Sequence, residues 1–586
     1  VVNGDMLPEA HYYERLNQAI QNREEGCEYL IIAPNDDSII AWADSLKRFR
    51  TRQGILTKVV TTADCGGNDT DHIKSYIQNA YDNWAIPPAA LMIFNGYHDT
   101  IYGNEAHYLE GIPGFPLTFY NYDSYGYIYN RDYFSDNLYA DMNGDSIPDL
   151  AISRLPALKL SEYQTQLGKL FEYETKPPTD AHYYDSPLIT SSFEGNKWFM
   201  ITSQAANGFF RDKLHKNPTN FYMPYESGMY DNTPDSLWST GYNTSAPFEY
   251  FGPDGQNYFP RYLFELDDWR YMFENQYLID AMSEGTFMTL YRDHSGSDVW
   301  CSPYFYSKEI NKISSETPTY LFSIGCNTAN YVQRYDYSSG SGANFITAFC
   351  NAPVGALGGI GAVTVTRSLF NDIFTWGMLD HVWPDFMPTL GSATAPAFVR
   401  PVYAMVAGKL FLNQHAFMPG WWPGYITDTH NVMHCLGESY LSLCTEVPQP
   451  VDFAAAPYQP DNDLSYRFRA EEGAVVCLSN ASGIIAVATA TGQEQSISLP
   501  LMAVGERFFV TATKQNRFRF EQVVEVFDTA NSYVYAKSLT LDDGITTDVP
   551  TVVVKPYHTI PEVLLTDGIE RTTDGLAEAC LSLTIG

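Results

Sequence analysis

The sequence predicts an α/β protein with two successive parallel sheets, followed by an all-β sandwich. Along the first 447 residues, continuous apolar runs of strand length alternate with helix-spaced segments, and this alternation favours parallel strands joined by right-handed crossovers. From about residue 448 the segments shorten and alternate with a period of two, which indicates a sandwich. The expected domains are an N-terminal α/β subdomain at 1–178, a second α/β subdomain at 179–447, the sandwich at 448–527 and a β-rich extension at 528–586.

The elements of the two series follow from apolar spacing and turn residues. A strand at 28–33 ends at a Pro-Asn-Asp-Asp turn, and apolar residues at helical spacing follow it. In the first series, strands are expected at 28–33, 54–60, 89–94 and 150–152, and helices at 38–53, 69–84 and 157–175. In the second, strands are expected at 187–192, 285–291, 319–325 and 354–361, and helices at 198–214, 395–412 and 428–440. The aromatic, irregular segment 216–280 suits loops that wall a cleft.

Composition excludes several classes of function. The formal net charge is −34, which argues against binding to nucleic acid or to anionic membranes. No apolar run reaches the length of a transmembrane helix. The nine cysteines are scattered without paired spacing, so neither a zinc ribbon nor a disulfide scaffold is indicated. The aromatic and Asn/Gly-rich composition, and a first residue that is Val1 rather than Met, favour a secreted or cell-surface protein from which a leader was removed.

Two strands of the second series end in residues able to perform nucleophilic catalysis. His294 follows the run at 285–291, and Cys326 follows the run at 319–325. Adjacent parallel strands would bring both side chains to the carboxyl edge of the sheet, where open α/β sheets place their sites. A thiol beside an imidazole is an activated nucleophile. Backbone N–H groups at Ser295, Gly296 and Cys326 could bind an oxyanion.

Two further patterns offer metal sites. Oxygen ligands alternate at Asp141, Asn143, Asp145 and Asp149, as a Ca²⁺ loop requires; the alternative is an Asp/Asn turn that caps the strand at 150–152. His430, His434 and Glu438 would share one helical face as zinc ligands if 428–440 were a helix. They lack the Glu that zinc peptidases place directly after the first histidine, so this site is disfavoured.

Several segments together resemble the gingipain-type cysteine peptidases over roughly residues 20–527. These are the strand segment Glu28–Pro34, the segment Asp141–Pro156, the histidine segment Tyr291–Pro303, the nucleophile segment Ile324–Ala329 and the segment His434–Glu438. The resemblance implies a caspase-like fold with an immunoglobulin-like domain at 456–527. It also implies an endopeptidase that cleaves protein or peptide substrates.

The resemblance implies roles for individual residues. Cys326 would be the nucleophile, His294 the proton-transferring partner and Glu194 the acidic residue assisting the histidine. Asp372 would lie in a pocket that selects Arg or Lys before the cleaved bond, and Trp300 would contact the substrate. Asp293 and Ser295 replace the glycines that usually flank the family's histidine, which raises the alternative of an inactive or transpeptidase-like homologue acting in binding or surface assembly.

Overall fold

The computed structural model describes most of the chain up to residue 528 and four short strands beyond it. Its described residues are 12–98, 111–122, 128–223, 244–262, 270–272, 274–333, 344–391, 394–418, 420, 422–528, 534–540, 546–547, 552–554 and 582–585; side chains are described for all of them except 98, 121–122, 128–130, 194–198, 271, 333 and those beyond 528. Within these ranges no helix is long and apolar enough to cross a membrane.

The helices and strands alternate through the first two predicted subdomains. The helices are α1 Tyr12–Asn22, α2 Asp37–Arg52, α3 Thr70–Asn83, α4 Asn137–Ala140, α5 Leu160–Thr175, α6 Ala181–Asp185, α7 Glu194–Asp212, α8 Ser245–Phe251, α9 Gln276–Glu284, α10 Phe345–Asn351, α11 Ser368–Val382, α12 Pro401–Leu412 and α13 Pro423–Val432, with a 3₁₀ helix at Ser307–Lys312. The strands of this part are β1 Tyr29–Ala33, β2 Thr57–Thr61, β3 Ala90–Ile93, β4 Tyr97–His98, β5 Phe115–Tyr122, β6 Ile128–Ser135, β7 Ala151–Arg154, β8 Leu188–Ser192, β9 Thr219–Met223, β10 Arg270–Tyr271, β11 Met288–Arg292, β12 Val299–Cys301, β13 Tyr304–Tyr306, β14 Thr319–Ile324, β15 Val332–Gln333, β16 Ala356–Ala362 and β17 Met433–Gly437.

Local sequence explains how these elements begin. The Asp36 carboxylate accepts hydrogen bonds from the N–H groups of Ser38 and Ile39 and so caps α2. Asp69 caps α3 in the same way. All five residues of β1 are buried, as expected for a strand covered by helices on both faces.

Eleven of the described strands form one sheet rather than two. Its order is β10-β9-β8-β11-β14-β16-β17-β7-β3-β1-β2. β17 pairs antiparallel with β16 and parallel with β7, so it joins the two series. The predicted helix at 428–440 is therefore wrong beyond Val432, because Met433–Gly437 is a buried strand. Since β17 reverses direction relative to β16, the strands of the N-terminal half end at the opposite edge of the sheet from those of the second half.

The C-terminal part is the predicted β-sandwich. Its strands are β18 Gln449–Pro450, β19 Phe453–Ala455, β20 Tyr458–Pro460, β21 Ser465–Ala470, β22 Val475–Asn480, β23 Gly483–Thr489, β24 Glu494–Ser498, β25 Arg507–Thr513, β26 Arg517–Phe518 and β27 Phe520–Phe527, followed by β28 Val534–Thr540, β29 Thr546–Thr547, β30 Val552–Val554 and β31 Ser582–Ile585. A three-stranded sheet and a five-stranded sheet face each other across a separate apolar core. The sandwich also packs on the N-terminal helices, where the Asn17 amide donates to the Val487 carbonyl at 2.8 Å.

Candidate active site

The register of two central strands brings the predicted nucleophile and histidine together. β11 and β14 are adjacent and parallel, with Tyr291 opposite Ser323 and Arg292 opposite Ile324. His294 and Cys326 each lie two residues beyond the last of these pairs, so they occupy equivalent positions at the carboxyl edge. His294 is exposed and Cys326 is half-buried, so a substrate can reach both.

The two segments beyond these strands are linked directly. The Ser295 hydroxyl donates a hydrogen bond to the Cys326 carbonyl at 2.8 Å. A Cβ atom at Gly325 would lie 2.2 Å from the Ser295 Oγ and 2.5 Å from the Asp293 carbonyl. Only glycine therefore permits this approach, and the Ser295 hydroxyl, which replaces one of the family's glycines, fixes the distance between the histidine and cysteine segments.

The backbone and the ring of His294 are both held in place. Its carbonyl accepts hydrogen bonds from the Tyr291 hydroxyl at 2.5 Å and from the Cys301 N–H at 3.1 Å. Burial raises the pKa of the Tyr291 phenol far above its usual value, so this group stays a donor. The imidazole packs edge-to-face on the Phe199 ring, with 5.3 Å between ring centroids. The Arg292 guanidinium also lies over the Phe199 ring, 4.2 Å from its centroid.

Trp300 is buried behind the site and does not line it, which corrects the predicted contact with the substrate. It is 0% exposed, and it stacks on Tyr291 with centroids 4.3 Å apart. Its Nε1–H donates to the Ser323 hydroxyl at 2.8 Å. Trp300 thus ties the ends of β11 and β14 together, and a substrate could touch it only after this packing was broken.

A hydroxyl that sequence reasoning missed lies beside Cys326, the predicted nucleophile. The Thr366 Oγ1 is 3.8 Å from the Cys326 Sγ and accepts a hydrogen bond from the Asn371 amide at 2.6 Å. Because the Thr366 oxygen is already an acceptor for Asn371, its own proton is available to the sulfur, which suits a thiolate. Asn327 adopts a left-handed conformation with φ 64°, and its N–H donates to the Thr364 carbonyl at 2.9 Å. This bond holds the cysteine turn against the segment after β16.

The three predicted oxyanion donors differ in availability. The Gly296 N–H donates to the Val299 carbonyl at 2.8 Å and is therefore not available to an oxyanion, which corrects its predicted role. In the described part of the chain, the N–H groups of Ser295 and Cys326 donate to no protein acceptor. These two groups can therefore stabilise negative charge on a carbonyl oxygen placed between the histidine and cysteine segments.

Glu194 begins α7, directly beyond β8, which is the neighbour of β11 on the side away from β14. This position is near the histidine segment, but the side chains of 194–198 lie outside the described residues. The acidic role of Glu194 therefore stays a prediction.

Asp293, the second departure noted in the sequence, is 1% exposed. Its Oδ1 accepts a hydrogen bond from the His294 N–H at 2.6 Å and one from the Ser302 hydroxyl at 3.4 Å. The carboxylate therefore caps the turn that carries the histidine.

Asp372 is paired inside the protein, which corrects its predicted role as a recognition site for a basic substrate side chain. Its Oδ1 accepts hydrogen bonds from the Arg292 Nε at 2.5 Å and from the Thr202 hydroxyl at 2.8 Å. The Asp372 side chain is 8% exposed and that of Arg292 is 2% exposed. Burial raises the pKa of the Asp372 carboxyl, although Arg292 opposes this. Arg292 thus takes the place at Asp372 that a basic side chain of the substrate was expected to take.

The predicted calcium loop is organised by its own backbone. Asp141 accepts hydrogen bonds from three N–H groups, Asn143 accepts one from Asp145, and Asp145 accepts one from Ile147. The Asp149 carboxylate caps the Met142 N–H at 2.7 Å. No group of three or more His, Cys, Asp or Glu side chains is arranged to hold a metal ion within the described ranges. These hydrogen bonds are those of an Asp/Asn turn, and calcium binding stays a prediction.

The three residues of the disfavoured zinc site do not converge. The His430 Nε2 lies 2.9 Å from the Lys409 carbonyl, and the His434 Nε2 accepts the Asp136 N–H at 2.7 Å. Glu438 pairs with Arg50. The change from helix to strand at Met433 separates the three side chains.

Of the residues missed by sequence reasoning, Thr366 carried a weak signal. Thr366 lies four residues beyond β16, at the same carboxyl edge as His294 and Cys326. Strand-end reasoning applied to this third strand would have indicated it. Phe199 and Arg292 carried no such signal, because both are buried and act through contacts distant in sequence.

Comparisons with known proteins identify the family and the fold of the chain. The model of peptidase family C25 matches residues 22–415, more than half of the chain. A crystal structure of the Arg-specific cysteine proteinase gingipain R is similar, with a TM-score of 0.62, 14% identity, and coverage of 86% of this chain and 98% of that one. So is a complex of Porphyromonas gingivalis RgpB pro- and mature domains, with a TM-score of 0.59, 14% identity, and coverage of 85% and 100%. No curated protein matches significantly. The chain belongs to peptidase family C25 and is a cysteine peptidase with the caspase-like fold of the gingipains.

Proposed function

We propose that the protein is a secreted cysteine endopeptidase in which Cys326 and His294 carry out peptide-bond hydrolysis. The observation that carries the proposal is the equivalent position of these residues at the ends of adjacent parallel strands, two residues past the pair Arg292–Ile324. The Ser295–Cys326 hydrogen bond supports it, because it fixes the spacing of the two segments. The secreted location rests on the composition and on the similarity to gingipain structures.

The reaction would proceed by acyl transfer. The Cys326 thiolate attacks the carbonyl carbon of the scissile bond and forms a C–S bond, and the N–H groups of Ser295 and Cys326 stabilise the oxyanion. The His294 imidazolium donates its proton to the leaving nitrogen, and the C–N bond breaks. A water molecule then gives a proton to His294 and attacks the thioester. The C–S bond breaks, which releases the carboxylate product and restores the thiolate.

The proposal does not include a basic-residue pocket built on Asp372. That carboxylate is neutralised by Arg292 and is nearly inaccessible, so attracting a substrate cation would require breaking a buried ion pair. We therefore expect the residue before the cleaved bond to be selected by features other than the charge of Asp372.

A panel of fluorogenic peptides that vary the residue before the cleaved bond tests this function. The wild type should hydrolyse members of the panel, and Cys326→Ala should not. Equal turnover by both proteins would refute the site assignment. Absence of turnover by both, with the protein folded and the panel covering all residue types, would favour the inactive homologue.

A further inference from the structure

A cavity lies next to the turn that carries Cys326, and the histidine segment does not line it. Its volume is about 370 Å³, within the range of ligand pockets. One wall is formed by Asn327, Asn330 and Thr364, which belong to the segments after β14 and after β16. Asn327 is the neighbour of Cys326 in sequence, and Thr364 lies two residues before Thr366, which contacts its sulfur. The cavity therefore adjoins the cysteine turn of the proposed site.

The opposite wall is the edge of a β-strand. Four consecutive residues of β6, Arg131–Phe134, line the cavity. Because successive side chains of a strand point to opposite faces, four neighbours can line one cavity only along the backbone edge between the faces. The residues of β5 that pair with them, 116–119, do not line it. The cavity thus borders the edge of β6 that faces away from β5.

This edge is unpaired in the part of the chain that the structure describes, where β6 pairs with β5 alone. An unpaired strand edge presents a row of N–H and C=O groups that can pair with another extended chain. The edge faces the nucleophile turn across the cavity, so a chain paired with it would run past Cys326.

The hairpin of β5 and β6 is fixed relative to the nucleophile at both ends. At the end of β6, the Ser135 hydroxyl donates to the Asn431 carbonyl at 2.7 Å. On β5, the Tyr120 carbonyl accepts a hydrogen bond from Arg367 at 3.1 Å, and Arg367 is the residue after Thr366. The Arg367 guanidinium also lies over the Phe119 ring, 4.4 Å from its centroid. The spacing between the β6 edge and the cysteine turn is therefore set before a substrate arrives.

We propose that the free edge of β6 is a docking strand for the substrate. An extended segment of the substrate on one side of the scissile bond pairs with β6 through main-chain hydrogen bonds and leads the scissile carbonyl to Cys326. Arg131 and Asp132, both exposed, place opposite charges at the rim, so no charge class of substrate is favoured. The substrate class is thus an unstructured protein segment recognised largely through its backbone. The proposal rests on the peptidase function proposed above.

The first test uses the wild-type protein and a series of peptides with one fixed cleavage site. Peptides lengthened on each side in turn should show kcat/KM rising by about tenfold on one side, equivalent to one or two main-chain hydrogen bonds. N-methylation of single backbone amides in the longest peptide should then lower kcat/KM at every second position. The two-residue period is the signature of strand pairing, and losses without such alternation would overturn the proposal.

The second test locates this pairing on β6 with the neighbouring substitutions Arg131→Pro and Asp132→Pro. Successive N–H groups of a strand point to opposite edges, and proline is tolerated where its missing N–H faced no partner strand. One variant should lose the gain from peptide length at an unchanged melting temperature, and the other should melt earlier because it loses a bond to β5. Tyr120→Ala, an exposed change on β5 away from the cavity, should keep the gain.

The outcomes separate this proposal from the peptidase function. Hydrolysis that is independent of peptide length, or a full length gain in both proline variants, would overturn the docking strand and leave the peptidase function standing. Absence of hydrolysis of every peptide by the wild type would overturn the peptidase function and the docking strand with it.

Discussion

The buried pair of Arg292 and Asp372 should act as a structural clamp behind the histidine and not as a specificity pocket. Both side chains are nearly inaccessible, with Nε and Oδ1 2.5 Å apart. Arg292 also donates to the Ser368 carbonyl at 3.0 Å and lies over Phe199, the ring that contacts His294. The two substitutions Asp372→Asn and Arg292→Met test this account.

Each single substitution should destabilise the protein strongly. Removing one partner of a buried ion pair costs about 3–5 kcal/mol, because the other charge is left buried. Asp372→Asn keeps an acceptor for Thr202, so we expect about 3 kcal/mol for it. The double variant Arg292→Met/Asp372→Leu leaves no buried charge and should be more stable than either single variant.

Arg292→Met should also make stability depend on pH. Burial already raises the pKa of the Asp372 carboxyl while Arg292 opposes the rise, so loss of Arg292 raises this pKa further. The folded state of the variant then holds the carboxyl proton more tightly than the unfolded state does. The contribution of this protonated carboxyl to the free energy of unfolding is fully present below about pH 4, the pKa of an unfolded aspartate. It is lost as the pH rises through the higher pKa of the folded state.

Urea unfolding in a Cys326→Ala background measures these effects without self-cleavage, and the peptide panel measures selectivity in the active background. We expect a lower unfolding midpoint for both single variants and no change in the ratio of turnover between arginine and uncharged residues before the cleaved bond. A collapse of that ratio in Asp372→Asn, with an unchanged midpoint, would refute the clamp and restore the predicted pocket.

Three further results are expected from the site geometry. Thr366→Val should lower kcat by about threefold to tenfold with KM unchanged, since it removes a single hydroxyl donor near the sulfur; Thr366→Ser should restore the rate, and a rate equal to wild type in Thr366→Val would exclude the contact. Phe199→Leu should lower kcat about fivefold by removing the aromatic contact with His294, and a change confined to KM would contradict that role. If Asp141 lies in a calcium site, chelation should lower the melting temperature and Ca²⁺ should restore it; an unchanged melting temperature would exclude a structural ion.

The sequence was informative wherever structure follows from local pattern. The strands before His294 and Cys326 were predictable because each is a continuous apolar run that ends in small residues. Their pairing was expected because strands that are consecutive in the chain are usually neighbours in the sheet. Together these two inferences placed His294 and Cys326 at the same edge of the sheet without a structure, as the register of β11 and β14 shows.

Pairings distant in sequence could not be predicted in this way. The segment Met433–Gly437 was expected to be helical, because a short apolar run does not distinguish a buried strand from a helix. Only its place between β16 and β7 makes it a strand, and this place also merges the two predicted sheets. Arg292 and Asp372 are eighty positions apart, so their pairing, which changes the expected specificity, has no local signature.

The sequence also did not indicate which backbone N–H groups are available to bind an oxyanion. From the sequence, the N–H groups of Ser295 and Gly296 were equally good candidates for oxyanion donors. The turn between the histidine segment and β12 brings the Val299 carbonyl within 2.8 Å of the Gly296 N–H, which donates a hydrogen bond to it. Turn geometry, and not residue type, therefore decides which N–H groups remain for catalysis.

Covalent labelling with a peptidyl acyloxymethyl ketone tests the central claim most directly, because the reagent requires a nucleophilic thiol paired with a histidine. The account predicts one label per chain, located by peptide mass analysis on Cys326, and a much slower reaction in His294→Ala. Cys301, the other half-buried cysteine of the described part of the chain, should remain unlabelled. Labelling of Cys301 in preference to Cys326, or equal rates in the wild type and His294→Ala, would contradict it.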